Sequence, residues 1–201
     1  MKRASDFGVT SLASRSGLTA QVTACGALFA IRHGATLINQ VLPGPAEDGL
    51  FRLILRWRAA DGATGWAPLV GSSVAHRRRG PLSIEWNHAP FPGLRTRVTL
   101  AVHPDEPAWA WKVHLISAAE AGLGIDLLLA QDLGMADEFA VRGSEAFTSQ
   151  YIDLLPLEDP QLGWTILARQ NQAAAGNRHP WLAVACAGGA AAYCTDGVQF
   201  F

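Results

Sequence analysis

The sequence predicts an all-β chain, a large antiparallel β-sandwich, on three observations. Apolar residues recur at every second position, aromatic and β-branched types fill many of those positions, and turn-forming pairs separate the alternating stretches. A period of two sends successive side chains to opposite faces of a pleated strand, so one face can be buried while the other meets water.

The alternation is clearest in residues 51–58, where Phe51, Leu53, Leu55 and Trp57 oppose Arg52, Arg56 and Arg58, with Ile54 the exception. In residues 82–88, Leu82, Ile84 and Trp86 oppose Ser83, Glu85 and Asn87. Residues 94–102 set Leu94, Thr96, Val98, Leu100 and Val102 against Arg95, Arg97 and Thr99, and residues 109–115 set Trp109, Trp111, Val113 and Leu115 against Lys112 and His114. Such segments fit a half-buried pleat far better than a helix. Between them stand Pro43-Gly44-Pro45, Asp48-Gly49, Asp61-Gly62, Gly80-Pro81, Pro90-Phe91-Pro92-Gly93 and His103-Pro104-Asp105. Each combines a fixed φ, a tolerated positive φ or a local side-chain bond, and so marks a turn.

Residues 18–24 and 27–32 are read as strands of a tight hairpin around Cys25-Gly26. Residues 123–133 are apolar apart from Asp126 and Gln131-Asp132 and are read as a strand buried on both faces, with a helix as the alternative. Residues 135–139 are expected to form one helical turn. The domain expectation is one module over residues 1–201, with 1–16 as a leader that can lie outside the fold.

Composition narrows the function classes. With 49% hydrophobic and 16% charged residues, and no apolar run near the ~18 residues a membrane span needs, the apolar content is expected to be buried internally. Residues 4–16 are too polar for a signal peptide, and the three cysteines, Cys25, Cys186 and Cys194, lack zinc or redox spacing. A cytoplasmic location is therefore expected. The net charge of −1 offers no broad positive field for nucleic acid or an anionic membrane, so neither is expected as a partner.

The chemistry-bearing residue types are sparse. His33, His76, His88, His103, His114 and His179 show no metal-binding pair spacing and are read as surface or hydrogen-bonded histidines. Arg77-Arg78-Arg79 is read as a solvated turn before Gly80-Pro81. Asp153, Glu158 and Asp159 bring carboxylates together, as glycosidic cleavage requires, but Asp159 before Pro160 is well placed to start a turn. Trp57, Trp86, Trp109 and Trp111 fall on inward faces. Trp66, Trp164 and Trp181 lie outside those patterns and are the candidates for stacking on a sugar.

Ordered motifs late in the chain carry a family likeness: Phe147-Thr148-Ser149-Gln150-Tyr151-Ile152-Asp153, Glu158-Asp159-Pro160 with Gly163, Ala168-Arg169-Gln170-Asn171, His179-Pro180-Trp181, and Thr195-Asp196-Gly197-Val198-Gln199-Phe200-Phe201. Together they resemble the inverting β-glucan phosphorylases, which include cellobiose phosphorylase, 1,2-β-oligoglucan phosphorylase and the phosphorylase-like region of cyclic β-1,2-glucan synthases. Gly26-Ala27-Leu28, Ile31-Arg32-His33-Gly34 and Leu37-Ile38-Asn39-Gln40 look most like the 1,2-β-oligoglucan branch. Two departures stand out. Residues 173–178 read Ala-Ala-Ala-Gly-Asn-Arg where several relatives are glycine-rich, and position 154 is Leu where a polar or histidine residue is expected.

The resemblance implies a galactose-mutarotase-like super-sandwich followed by a helical linker and an (α/α)6 catalytic barrel. There, one aspartic acid protonates the glycosidic oxygen while inorganic phosphate, the co-substrate, attacks the anomeric carbon from the opposite face in place of water. The barrel is not in these 201 residues, so the expectation is an accessory module, inactive alone and needing no cofactor. Its expected partners are a β-glucan oligosaccharide, the linker and barrel, and a second copy in a homodimer. The residues expected to touch sugar or the next domain are Arg169, Gln170, Asn171, Trp181 and Asp196. The alternatives are a stand-alone carbohydrate-binding module and a mutarotase-like epimerase, which would need an acid and a base converging on one pocket.

Overall fold

The computed structural model describes residues 8–40, 48–117, 123–173 and 177–196. The chain divides into two compact units, residues 1–34 with 38–132 and residues 35–37 with 133–201. Strands dominate both, and every named strand pair is antiparallel.

In the first unit, β1 (Thr10–Ala13), β2 (Leu18–Val22) and β3 (Leu28–His33) form one ladder. β1 lies inside the span expected as a leader, and its Leu12 is fully buried, which ties those residues into the fold. The predicted hairpin at Cys25-Gly26 is present. Thr23 and Ala27 close it through Thr23 N–H to the Ala27 carbonyl (2.9 Å), and Gly26 takes φ +94°. A side chain there would be strained by that φ and would also meet His76 Nδ1 at 2.8 Å.

The second unit begins with β4 (Thr36–Leu37), and the chain then returns to the first unit for a sandwich. One of its sheets runs β11 (Gly124–Ala130), β5 (Arg52–Arg58), β6 (Thr64–Pro68). The other runs β10 (Trp109–Ser117), β9 (Leu94–Val102), β8 (Ser83–Phe91), β7 (Ala75–Gly80). The two are held face to face by the residues the alternation sends inward. Leu53, Leu55, Ile84, Trp86, Val98 and Leu100 are buried, Phe51 stacks on Trp111 with centroids 4.6 Å apart, and Trp57 packs on Phe91 at 4.8 Å. Trp86 is the largest wholly buried side chain, and its indole N–H donates to the Gly26 carbonyl at 2.9 Å, so its polar atom is satisfied as burial demands.

Three expectations are corrected here. Residues 123–133 do contain a strand, but β11 lies at the margin of its sheet rather than buried on both faces. With a neighbour on one side only, Leu127 and Leu129 remain 47% and 39% exposed although they oppose the buried Leu55 and Leu53. Arg77-Arg78-Arg79 is strand, not turn. Arg77 stands opposite Glu85, and the guanidiniums of Arg77 (3.0 Å), Arg79 (3.5 Å) and Arg97 (3.7 Å) surround the Glu85 carboxylate. The charge run is held extended because its alternate members have this carboxylate to reach. The helical turn expected at 135–139 starts later, because β12 (Ala136–Asp137) pairs with β4 and Asp137 then caps α1 (Glu138–Gly143) by accepting from the Phe139 and Ala140 N–H groups.

The second unit continues through α2 (Glu145–Ser149) into a sheet of β13 (Ile152–Asp159), β14 (Gly163–Gln170) and β15 (Trp181–Val184). Among the described residues, no helix is long and apolar enough to cross a membrane, and no group of three or more His, Cys, Asp or Glu is placed to hold a metal.

Candidate functional site

The β13–β14 hairpin is made by its turn. Asp159 Oδ1 accepts from the Gln161 and Leu162 N–H groups at 2.8 and 2.9 Å, and Gly163 adopts φ +66°. Asp159 is thus committed to the turn, in agreement with the Asp-Pro reading. The register that follows sets Asp153 opposite Arg169, and Arg169 opposite Trp181. Residues directly opposite share a face, so an acid, a guanidinium and an indole form one row across three strands.

The contacts bear this out. The Arg169 guanidinium carbon lies 5.4 Å from the Trp181 ring centroid, a cation–π distance, while Trp181 remains 63% exposed. Arg169 Nε is buried without a hydrogen-bond partner among the described residues. Just past β14, Asn171 donates its backbone N–H to the Tyr151 carbonyl at 2.8 Å and its side-chain amide to Asp153 Oδ2. Three polar side chains, Asp153, Arg169 and Asn171, therefore gather beside an exposed indole.

Gln170 points to the other face and is wholly buried. Its Nε2 donates to the Gly134 and Thr148 carbonyls, both at 3.1 Å, and its Oε1 accepts from the Gln172 N–H at 2.9 Å. Its backbone N–H donates to Pro180, and its carbonyl accepts from His179 Nδ1 at 3.1 Å. Both amide hydrogens are spent inside the fold, so Gln170 is a strut behind the row rather than a member of it. Asp196 lies outside the named strands, exposed, with its carbonyl accepting from Cys194 Sγ at 3.1 Å. The structure thus brings together Arg169, Asn171 and Trp181, sends Gln170 to the opposite face, and leaves Asp196 outside the named strands. Asp153, read in the sequence only as one of three clustered carboxylates, joins the row as well. The signal that finds it is register, which needs the hairpin turn located first.

The other two candidate indoles differ. Trp164 is half-buried against Tyr193, with centroids 4.7 Å apart, whereas Trp66 on β6 is 67% exposed.

The sequence assigns this β-rich chain to a known domain family. Residues 21–201 match the SOGP N-terminal domain, and the chain belongs to that family. It is 27% identical over 187 residues to the 1,2-beta-oligoglucan phosphorylase of Listeria innocua serovar 6a, an alignment covering 93% of this chain and 16% of that protein. The chain therefore spans about a sixth of the length of this curated relative.

Proposed function

We propose that this chain is the amino-terminal accessory module, residues 1–201, of a cytoplasmic enzyme that phosphorolyses β-1,2-linked glucan oligosaccharides to glucose 1-phosphate, and that the module alone is inactive. The observation that carries this reading is the alignment, which takes in nearly all of this chain and a sixth of a phosphorylase. Cleavage by inversion needs an acid on one side of the glycosidic bond and a nucleophile on the other. Here Asp159 is engaged in a turn and Asp153 with Asn171, so two of the three carboxylates singled out in the sequence have structural duties. The row of Asp153, Arg169, Asn171 and Trp181 faces the glucan or the adjoining linker and barrel. Incubated with sophorose-type oligosaccharides and inorganic phosphate, the chain is expected to release no glucose 1-phosphate. Turnover well above a protein-free blank refutes the reading.

The second reading is a stand-alone carbohydrate-binding module, favoured by the exposure of Trp181 beside hydrogen-bonding groups. It predicts saturable shifts of the Trp181 indole signal on addition of gluco-oligosaccharide.

A further inference from the structure

The first unit repeats the row just described, around a candidate indole, Trp66, that the proposed function leaves unused. On the outer face of the β11-β5-β6 sheet, Asp126 stands opposite Arg56 and Arg56 opposite Trp66. The order is the same as in the second unit: acid, guanidinium, then an indole on the marginal strand, with Trp66 67% and Trp181 63% exposed. The face is fixed by register, since the neighbouring inward positions Leu53 and Leu55 are buried and Arg56 alternates away from them.

The two rows differ in one respect that matters. Arg169 lies over the Trp181 ring, whereas Arg56 is drawn to Asp126, donating from Nε and Nη2 to Oδ2 at 2.9 and 2.7 Å. Among the described residues no cation covers Trp66. Its indole is two-thirds exposed, and the positions two residues away on β6 are the modest side chains of Thr64 and Pro68. A surface ion pair between two side chains about 60% exposed contributes little to stability, so neither residue is explained by holding the fold together.

We infer that Trp66, Arg56 and Asp126 form a second saccharide platform, for a neutral β-linked gluco-oligosaccharide. A pyranose ring with equatorial hydroxyls offers an apolar C–H face to an indole, and the hydroxyls project from its rim. The guanidinium supplies donors beyond the two given to Asp126, and Asp126 Oδ1 supplies an acceptor, which together match hydroxyl groups that both donate and accept. An exposed sheet face suits an extended chain lying across it, not a single sugar in a pit. The choice of a glucan rests on the proposed function; the platform itself rests on the register and exposure given above.

The test is a titration of the isotope-labelled chain with β-1,2-linked gluco-oligosaccharides of two to five units, followed through the indole and backbone N–H signals. Expected are saturable shifts at Trp66 and at the Thr64 amide, with a dissociation constant of about 1 mM, the range of a small, solvent-exposed contact. Trp66→Ala is expected to weaken the Thr64 response at least tenfold, Arg56→Gln to weaken it less, and Trp181→Ala to leave it unchanged. These exposed substitutions are checked by an otherwise unaltered spectrum. Shifts at Trp181 alone overturn the second platform while leaving the first row standing, whereas shifts at Trp66 alone uphold it and leave the Trp181 row to the linker and barrel. A Thr64 response that survives Trp66→Ala also overturns it, as do unmoved signals at about 20 mM sugar, some twentyfold above that constant.

Discussion

Glu85 shows how one side chain can decide the conformation of its neighbours. Its carboxyl is held below the usual carboxylate range, chiefly by the Asn87 amide donating to it, then by Arg77 and by the charges of Arg79 and Arg77, with burial opposing. A group with a lowered folded pKa contributes stability that is full above its unfolded value and is lost as pH falls through the folded one. Glu85→Gln is therefore expected to lower the melting temperature at pH 7, with the gap between the two proteins closing only below the ordinary glutamate value of about 4.3, as the native carboxylate takes up its proton. Thermal melts across that window check it, and a constant gap would contradict it. Gln170 is the uncharged counterpart. Gln170→Leu strips the buried Gly134 and Thr148 carbonyls, and the more exposed Gln172 N–H, of their partners, a loss of about 3 kcal/mol. Denaturant titration should show it, and a change under about 0.5 kcal/mol would mean that water replaces the amide.

At the scale of the element, the period-two stretches were legible because their inward residues are strongly apolar and their turns chemically marked; the span 94–102 coincides with β9. What local pattern could not convey is which strands lie at a margin. β11 looks doubly buried because three leucines in succession satisfy both faces of any strand, and only the pairing shows that it has one neighbour. The arginine run was likewise misjudged because its carboxylate partner lies on another strand. The β5–β6 pair holds a further detail absent from any pattern: Trp57 lies across Gly65, so that a Cβ there would come 2.3 Å from Trp57 Cζ2. Gly65→Ala is expected to push the indole off its packing on Phe91 and to cost about 1–3 kcal/mol, read from a lowered urea midpoint. An unchanged midpoint would show that the sheet edge yields freely.

For the whole molecule, composition and alternation sufficed for the fold class, and motif order for the family. The candidate residues were named in the sequence, but their arrangement was not: Arg169 and Trp181 share a face with Asn171 beside them, while the parity of a strand sends Gln170 to the opposite face, which sequence adjacency alone conceals. The same parity, applied across β11, β5 and β6, relates Trp66 to Trp181 despite sequence neighbours that share nothing.

The buried amide of Gln170 has a dynamic corollary. Because one side chain ties the approach to β12, the end of α2 and the segment leaving β14, those stretches cannot loosen independently. Their slowest-exchanging backbone protons should share a common opening free energy, making this part of the second unit a single foldon.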